Sequence, residues 1–279
     1  MARLSWNGYG KAEVRLVKVS RGDSAHELAD LTVDVQLQGD FEPAHTAGDN
    51  ACVLPTDTMK NTVYALARQG PVDPPEVFGE QLAAQFLDAC PAAIRAVITL
   101  TRHRWDRVMT AQVAHPHAFL RGGEERRLAV VTAGRNGASI AAGLEGLGLL
   151  KTSGSGFSGY LRDRYTTLTE TEDRLFATDV SARWRYSARP ADFGSAWAAV
   201  RTALVETFAE HRSASVQQTL YAMGERALAV CPEAAEIRLI LPNRHHLLVD
   251  LRPFGLENPN EIFVATREPY GRIEAVITR

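Results

Sequence analysis

The stretch AEVRLVKVSRGDSAHELADLTVDVQL, residues 12–37, alternates apolar and polar side chains on both sides of a turn. Successive strand residues point to opposite faces, so alternation over 12–20 and again over 28–37 describes two half-buried strands. Ser20-Arg21-Gly22-Asp23-Ser24 supplies the turn, and the whole reads as an antiparallel hairpin with one face to water. The period then changes. Thr56-Asp57 offers a capping side chain, Val63, Leu66 and Ala67 follow helical spacing, and Gly70-Pro71 stops the run. A second helix is predicted from Asp73-Pro74-Pro75-Glu76, with Asp73 as the N-cap acceptor, two early prolines and Glu76 at the third helical position. Its apolar stripe is Leu82, Phe86 and Cys90, ended by Pro91. Strand patterns follow at 94–101, running on to Val108, and at 128–132.

The same order returns in the second half. Strand patterns occupy 138–151 and 176–186, then one helix carries Phe193, Trp197, Val200, Leu204 and Phe208 on one face. Another carries Val216, Leu220, Met223, Ala227 and Val230, and strands are predicted at 236–241, 246–251, 262–266 and 273–277. Strand-strand-helix-helix-strand-strand, given twice, implies an internal duplication, with no obvious residue identity between the halves. The join falls in the turn Gly134-Arg135-Asn136-Gly137, which divides the chain into domains 1–135 and 136–279. Each is expected to be an antiparallel sheet with a helix pair on one face, an α+β architecture.

Composition agrees with two ordinary globular domains. The 279 residues are 45% apolar, with 31 Lys and Arg against 33 Asp and Glu for a net charge of −2. That excludes a wholly disordered chain, and it gives no electrostatic reason to expect nucleic acid or an anionic membrane as partner. Cys52, Cys90 and Cys231 lie far apart, which argues against a disulfide framework and for a reducing compartment. No apolar run reaches the roughly 18–20 residues that span a bilayer, and Met1 to Asn7 carries no apolar signal core. A cytoplasmic protein is expected.

Several chemistries lose support at once. There is no G-x-S-x-G elbow, and Lys151-Thr152-Ser153-Gly154-Ser155-Gly156 lacks the closing Gly-Lys-Ser/Thr of a phosphate loop. His115-Pro116-His117 and His245-His246 are close pairs, without the spacing of a zinc site. Thr56-Asp57 stands at a helix start, where free N–H groups and the dipole favour an anion, although plain capping explains the same residues. Taken singly, Lys11 and Arg174 read as solvated charges, and Gln217, Asn243 and His245 as a helix start and a strand end.

Taken together, these segments resemble one family. Tyr9-Gly10-Lys11, Thr56 to Thr62, His103-Arg104-Trp105, His115-Pro116-His117, Phe157 to Leu168, Ser213 to Gln217 and Leu241 to His245 are similar, in register over almost the whole chain, to the urate oxidases. The resemblance implies tandem tunnelling-fold domains, each an antiparallel four-stranded sheet with two helices. It implies oxidation of urate by O₂ to 5-hydroxyisourate and hydrogen peroxide, with no metal and no cofactor. Phe157 would stack on the purine, Arg174 and Gln217 would grip its edge, and backbone groups at Asp57 and Val216 would complete the plane. Lys11, Thr56 and His245 would form a proton relay, while Thr56 and Asn243 would hold O₂ or water above the ring. Family tetramers build each site between subunits, so a homotetramer is implied.

Ser158 and Gly159 replace the bulkier residue that fungal and animal relatives carry after the Phe, and the end Ile277-Thr278-Arg279 lacks a peroxisomal Ser-Lys-Leu. Alternatives are a non-catalytic purine-binding protein of the same fold and a pterin-handling enzyme of the tunnelling group. Gln217, where the pterin enzymes typically place a Glu, speaks against the latter.

Overall fold

The computed structural model describes residues 2–135 and 137–279; Met1 and Asn136, the latter placed by sequence in the turn between the halves, lie outside the described residues. The chain forms two compact units, the first running through Gly143 and including Arg189–Gly194, the second comprising Leu144–Ala188 and Ser195–Arg279.

In the first unit the strands β1 (Tyr9–Arg21), β2 (His26–Gly39), β3 (Ala93–Thr110) and β4 (Val113–Gly134) lie in that order, with β1 to β4 paired antiparallel. Alternation does its expected work: Leu31, Val33, Val35 and Leu37 of β2 and Ala96, Ile98 and Leu100 of β3 are buried. They meet Met59 and Val63 of α2 (Thr56–Gln69) and Phe78, Leu82 and Phe86 of α3 (Pro75–Ala89), all buried. Each of these side chains other than Ala96 contributes about 1.5–3 kcal/mol through removal from water. A short helix, α1 (Glu42–Thr46), precedes them and carries too few residues to show a period.

The second unit orders β5 (Gly137–Lys151, its second half), β6 (Phe176–Tyr186), β7 (Ala234–Asn243) and β10 (Gly271–Thr278). Helices α4 (Phe193–Glu210) and α5 (Val216–Val230) supply Val200, Leu204, Phe208, Leu220, Met223 and Ala227 to its core. Phe208 meets Phe176 of β6 with ring centroids 5.0 Å apart.

Lysines tie helix ends to both sheets. Lys18 on β1 donates to Ala67 O at 2.7 Å and to Gly70 O, at the C-terminus of α2. Lys151 on β5 donates to His211 O at 2.6 Å just past α4. A cation there meets unsatisfied carbonyls and the negative end of the dipole. No helix among the described residues is long and apolar enough to cross a membrane.

Four expectations change. The N-cap of α2 is Pro55 and that of α3 is Pro74, neither with a side-chain cap. Asp73 pairs instead with Arg102 at 3.0 Å, and Glu76 sits at the second helical position, fully buried. Strand β4 begins at Val113, 15 residues before the predicted start at 128. Its outer half, with Pro116, Gly122 and Gly123 and no fully buried residue, carries no apolar alternation, so only pairing with β3 makes it a strand. Finally, 246–251 and 262–266 shrink to β8 (His246–Leu248) and β9 (Phe263–Ala265), which pair with each other in a separate ribbon.

Register also exposes identities that the sequence alone did not. Helices α3 and α5 are each 15 residues long and stand 141 positions apart, Pro75 to Val216 and Ala89 to Val230. The same interval carries Cys90-Pro91 onto Cys231-Pro232, and buried Ala93, Ala96, Ile98 and Leu100 onto buried Ala234, Ile237, Leu239 and Leu241. Both cysteines end their helices in nearly one conformation, φ −130° and ψ 85° against φ −125° and ψ 82°.

Candidate active site

In the first unit Tyr9 ties the strand that carries Lys11 to the segment that precedes Thr56. Lys11 lies half-buried on β1, opposite Val35 and just before a bulge that ends at Val14. Beside it, Gly10 lets the strands approach closely, since a Cβ there would stand 1.8 Å from Val35 O. Tyr9 accepts a hydrogen bond at its hydroxyl from Leu54 N–H at 2.8 Å and packs edge-on against Phe41 at 4.7 Å. Burial and the neighbouring Cys90 push its phenol up to about 12, so it stays protonated. The motif Tyr9-Gly10-Lys11 thereby fixes the segment that ends in Pro55 and starts α2 at Thr56.

Thr56 is the first residue of α2, half-buried, and its hydroxyl has no hydrogen-bond partner among the described residues. Capping therefore does not explain it. Asp57 accepts from Lys60 and, at 3.0 Å, from Asn61. The Lys60 hydrogen bond and charge, with a smaller contribution from Lys11, hold its carboxyl below the usual range. With the carboxylate turned along its own helix, the first-turn N–H groups remain available to an acceptor.

In the second unit the Gly-rich run holds the remaining groups. Gly156 N–H donates to Ser213 O at 2.8 Å, Ser213 N–H to Gly154 O at 2.9 Å, and Arg174 N–H to Ser155 O at 2.7 Å. Phe157 exchanges backbone bonds with Thr171 at 2.7 and 3.1 Å. Asp173 gathers Ser153 Oγ at 2.8 Å and Gly154 N–H at 2.7 Å, which lower its pKa and keep it from pairing with its neighbour Arg174. The Phe157 ring stacks on Tyr160, 4.9 Å away and 13° off parallel, and the Tyr160 hydroxyl donates to Leu168 O at 2.6 Å.

Arg174 is the electrostatic centre of this unit's set. Its guanidinium lies 5.4 Å from the Phe157 centroid, its Nε is buried without a partner, and among the described residues no carboxylate pairs with it. Burial pulls its pKa down. A half-buried cation lacking a counter-ion, next to an aromatic ring, is equipped for a flat anion.

Ser213 and Ser215 start α5. Ser215 Oγ accepts from Gln218 N–H at 3.1 Å, and Gln218 Oε1 accepts from Ala214 N–H at 2.9 Å, a reciprocal cap. Gln218 is thus consumed, while Gln217 projects exposed and Val216 is buried. At the end of β7, Arg244 donates to Asp179 at 2.8 Å and through its N–H to Ala177 O at 2.9 Å. Asn243, the last residue of β7, and His245 flank it in sequence, and both are half-buried.

Other singled-out residues serve packing. His103 bonds Thr32 at 2.9 Å, its pKa lowered by burial and Arg15, and Trp105 donates to Asp30 at 2.8 Å. His115 and His117 meet edge-on at 4.6 Å; among the described residues no three His, Cys, Asp or Glu side chains gather as a cation site requires. The positioning roles of Tyr9, Asp173, Ser213 and Ser215 escaped sequence reasoning, although Ser215 and Gln218 had the spacing of a capping box.

Fold and side chains together define a tandem α+β protein with Arg174 beside the Phe157 ring on one unit and Lys11 and Thr56 on the other. A sequence profile named Uricase matches residues 7–132 and 140–274. The uricase of Arthrobacter globiformis is 51% identical over 276 residues, 99% of this chain and 90% of the relative. That of Aspergillus flavus is 37% identical over 287 residues, 97% of this chain and 95% of the relative. The crystal structure of the Arthrobacter globiformis uricase matches with a TM-score of 0.95 at 50% identity, covering 100% of this chain and 96% of that one. A Bacillus sp. TB-90 urate oxidase structure, 24% identical, shares the fold with a TM-score of 0.85 over 98% of this chain and 99% of that one. The chain belongs to the uricase family, and its architecture is the tandem tunnelling fold of that family.

Proposed function

We propose that the protein is a urate oxidase and that the two side-chain sets are halves of one urate site. The observation that carries this is Arg174: half-buried, beside the Phe157 ring, and without a carboxylate partner among the described residues. Urate is a planar anion at neutral pH. Phe157 stacks on it, and Arg174 with the exposed amide of Gln217 takes its edge, one supplying charge and a donor fork, the other a donor and an acceptor. Backbone groups at Asp57 and Val216, both in the first turns of their helices, complete the plane.

Urate gives two electrons to O₂, water supplies the hydroxyl at carbon 5, and the products are 5-hydroxyisourate and hydrogen peroxide. The electron-rich anion needs no metal or flavin. Lys11 removes a proton, Thr56 passes protons through its rotating hydroxyl, and His245 is the third relay member. Asn243 and Thr56 hold O₂ or the attacking water above the ring. The two sets come from different subunits of a homotetramer. Three unpaired cysteines support a reducing, cytoplasmic setting.

The test couples loss of urate absorbance to oxygen uptake, with a chelator present and nothing added. Equal consumption of urate and O₂ with matching peroxide is expected. Urate binding without oxygen uptake would instead favour a non-catalytic purine-binding protein.

A further inference from the structure

The interval of 141 positions that superimposes α3 on α5 carries Glu76 onto Gln217, and along the strands it carries Arg102 onto Asn243. The strand partners correspond as well: Arg127 stands opposite Arg102, and Gly271 opposite Asn243. The first unit therefore holds a counterpart of the region where the second places Gln217 and Asn243. Besides Arg102 against Asn243, one reciprocal pair differs. The second unit has Gln217 and Gly271, and the amide stays exposed. The first has Glu76 and Arg127, with Arg127 Nη2 donating to Glu76 Oε2 at 2.7 Å. Glu76 is 0% exposed, and its Oε1 has no hydrogen-bond partner among the described residues. Arg127 also reaches Phe193 O at 3.3 Å, and Asp73 takes up Arg102 at 3.0 Å.

We propose that the first unit contains a second, internally occupied binding site, in which Glu76 is the anchoring carboxylate and the Arg127 guanidinium fills the ligand's place. The buried carboxylate keeps an acceptor oxygen unused, which a planar cation offering two parallel N–H groups satisfies better than a single arginine nitrogen. Vacated, the site accepts guanidinium and amidinium cations. This restricts the chain to one open site where its duplication offers two. The role of Gln217 is taken from the function proposed above, but guanidinium binding is measured without urate, so the two readings fail separately.

Arg127→Ala removes the internal occupant from the full-length protein. Guanidinium chloride, titrated to about 50 mM against equal sodium chloride, is expected to raise the Tm of this variant saturably and to leave the unsubstituted protein unchanged. The double variant Glu76→Gln/Arg127→Ala, which brings the first unit close to the Gln217 and Gly271 pair, is expected to fold and to lose the response at least tenfold. If Arg127→Ala is insoluble alone, its soluble yield is expected to recover when it is refolded with guanidinium rather than sodium. A guanidinium response equal to that of the unsubstituted protein, or one retained in the double variant, or no recovery on refolding, would overturn the proposal.

Discussion

Arg174→Ala separates binding from stability. The guanidinium is half-buried, with Nε lacking a partner and no carboxylate pairing with it among the described residues, so urate gains its attraction while stripping less water from that side chain than from an exposed one. Two unit charges about 4 Å apart interact by roughly 4 kcal/mol at an effective dielectric constant near 20. Water around a half-buried site, and the cost of desolvating urate, leave about 3 kcal/mol as the loss on truncation. That is about a 100-fold weaker Kd. The same substitution removes a poorly hydrated, unpaired cation, so the fold should lose nothing and gain up to about 1 kcal/mol. The assay is equilibrium binding of urate under nitrogen, where no turnover occurs, alongside urea unfolding of the same preparation. An unchanged Kd would refute the placement of urate at Arg174. A marked loss of stability would show that the guanidinium has a structural partner instead.

Tyr9→Phe removes the acceptor for Leu54 N–H and should cost about 1 kcal/mol of stability, with a larger fall in kcat than in urate affinity, because Thr56 loses its tether; stopped-flow turnover against anaerobic binding distinguishes the two effects. Ser215→Ala deletes the N-cap of α5 and should destabilise the fold by about 1 kcal/mol, visible in urea unfolding, while raising KM through Gln217 and Val216. Asp173 has a depressed folded pKa, so its stabilising contribution is present above the unfolded value of 3.8 and is lost as pH falls through the lower folded value. Asp173→Asn should accordingly flatten the fall in Tm below pH 4, and should raise KM by loosening the loop that carries Phe157 and Arg174; an unaltered Tm profile would count against it.

The duplicated order was legible because the first hairpin, the strand patterns at 138–151 and 176–186, and all four long helices bury one face, and burial imposes a period. Phe193 to Phe208 and Val216 to Val230 are cases where the apolar spacing alone bounded the element closely. The outer half of β4 was not legible. Its side chains are exposed on a two-stranded extension, so nothing in their polarity records the pairing of Trp105 with Arg121 or of Arg107 with Phe119. Helix starts failed for a related reason: Pro55 and Pro74 hold the N-cap positions by backbone conformation, leaving Thr56 and Asp73 free for other partners.

The candidate site was legible only as a resemblance, and the geometry explains why. Among the described residues the side chains of Lys11, Thr56 and Asn243 have no hydrogen-bond partner, and absence of a partner leaves no mark on spacing. Gln217 and Gln218 are adjacent and chemically identical, yet Gln218 is spent on the helix cap and Gln217 is not. The same holds across the duplication. Glu76 and Gln217 share an address, and the distinction between a buried ion pair and an open amide is set by Arg127 or Gly271 on a strand far along the chain. Glu76 and Gln217 lie on helices and Arg127 and Gly271 on strands, so the pairs that distinguish the proposed closed site from its open counterpart are brought together only by the fold.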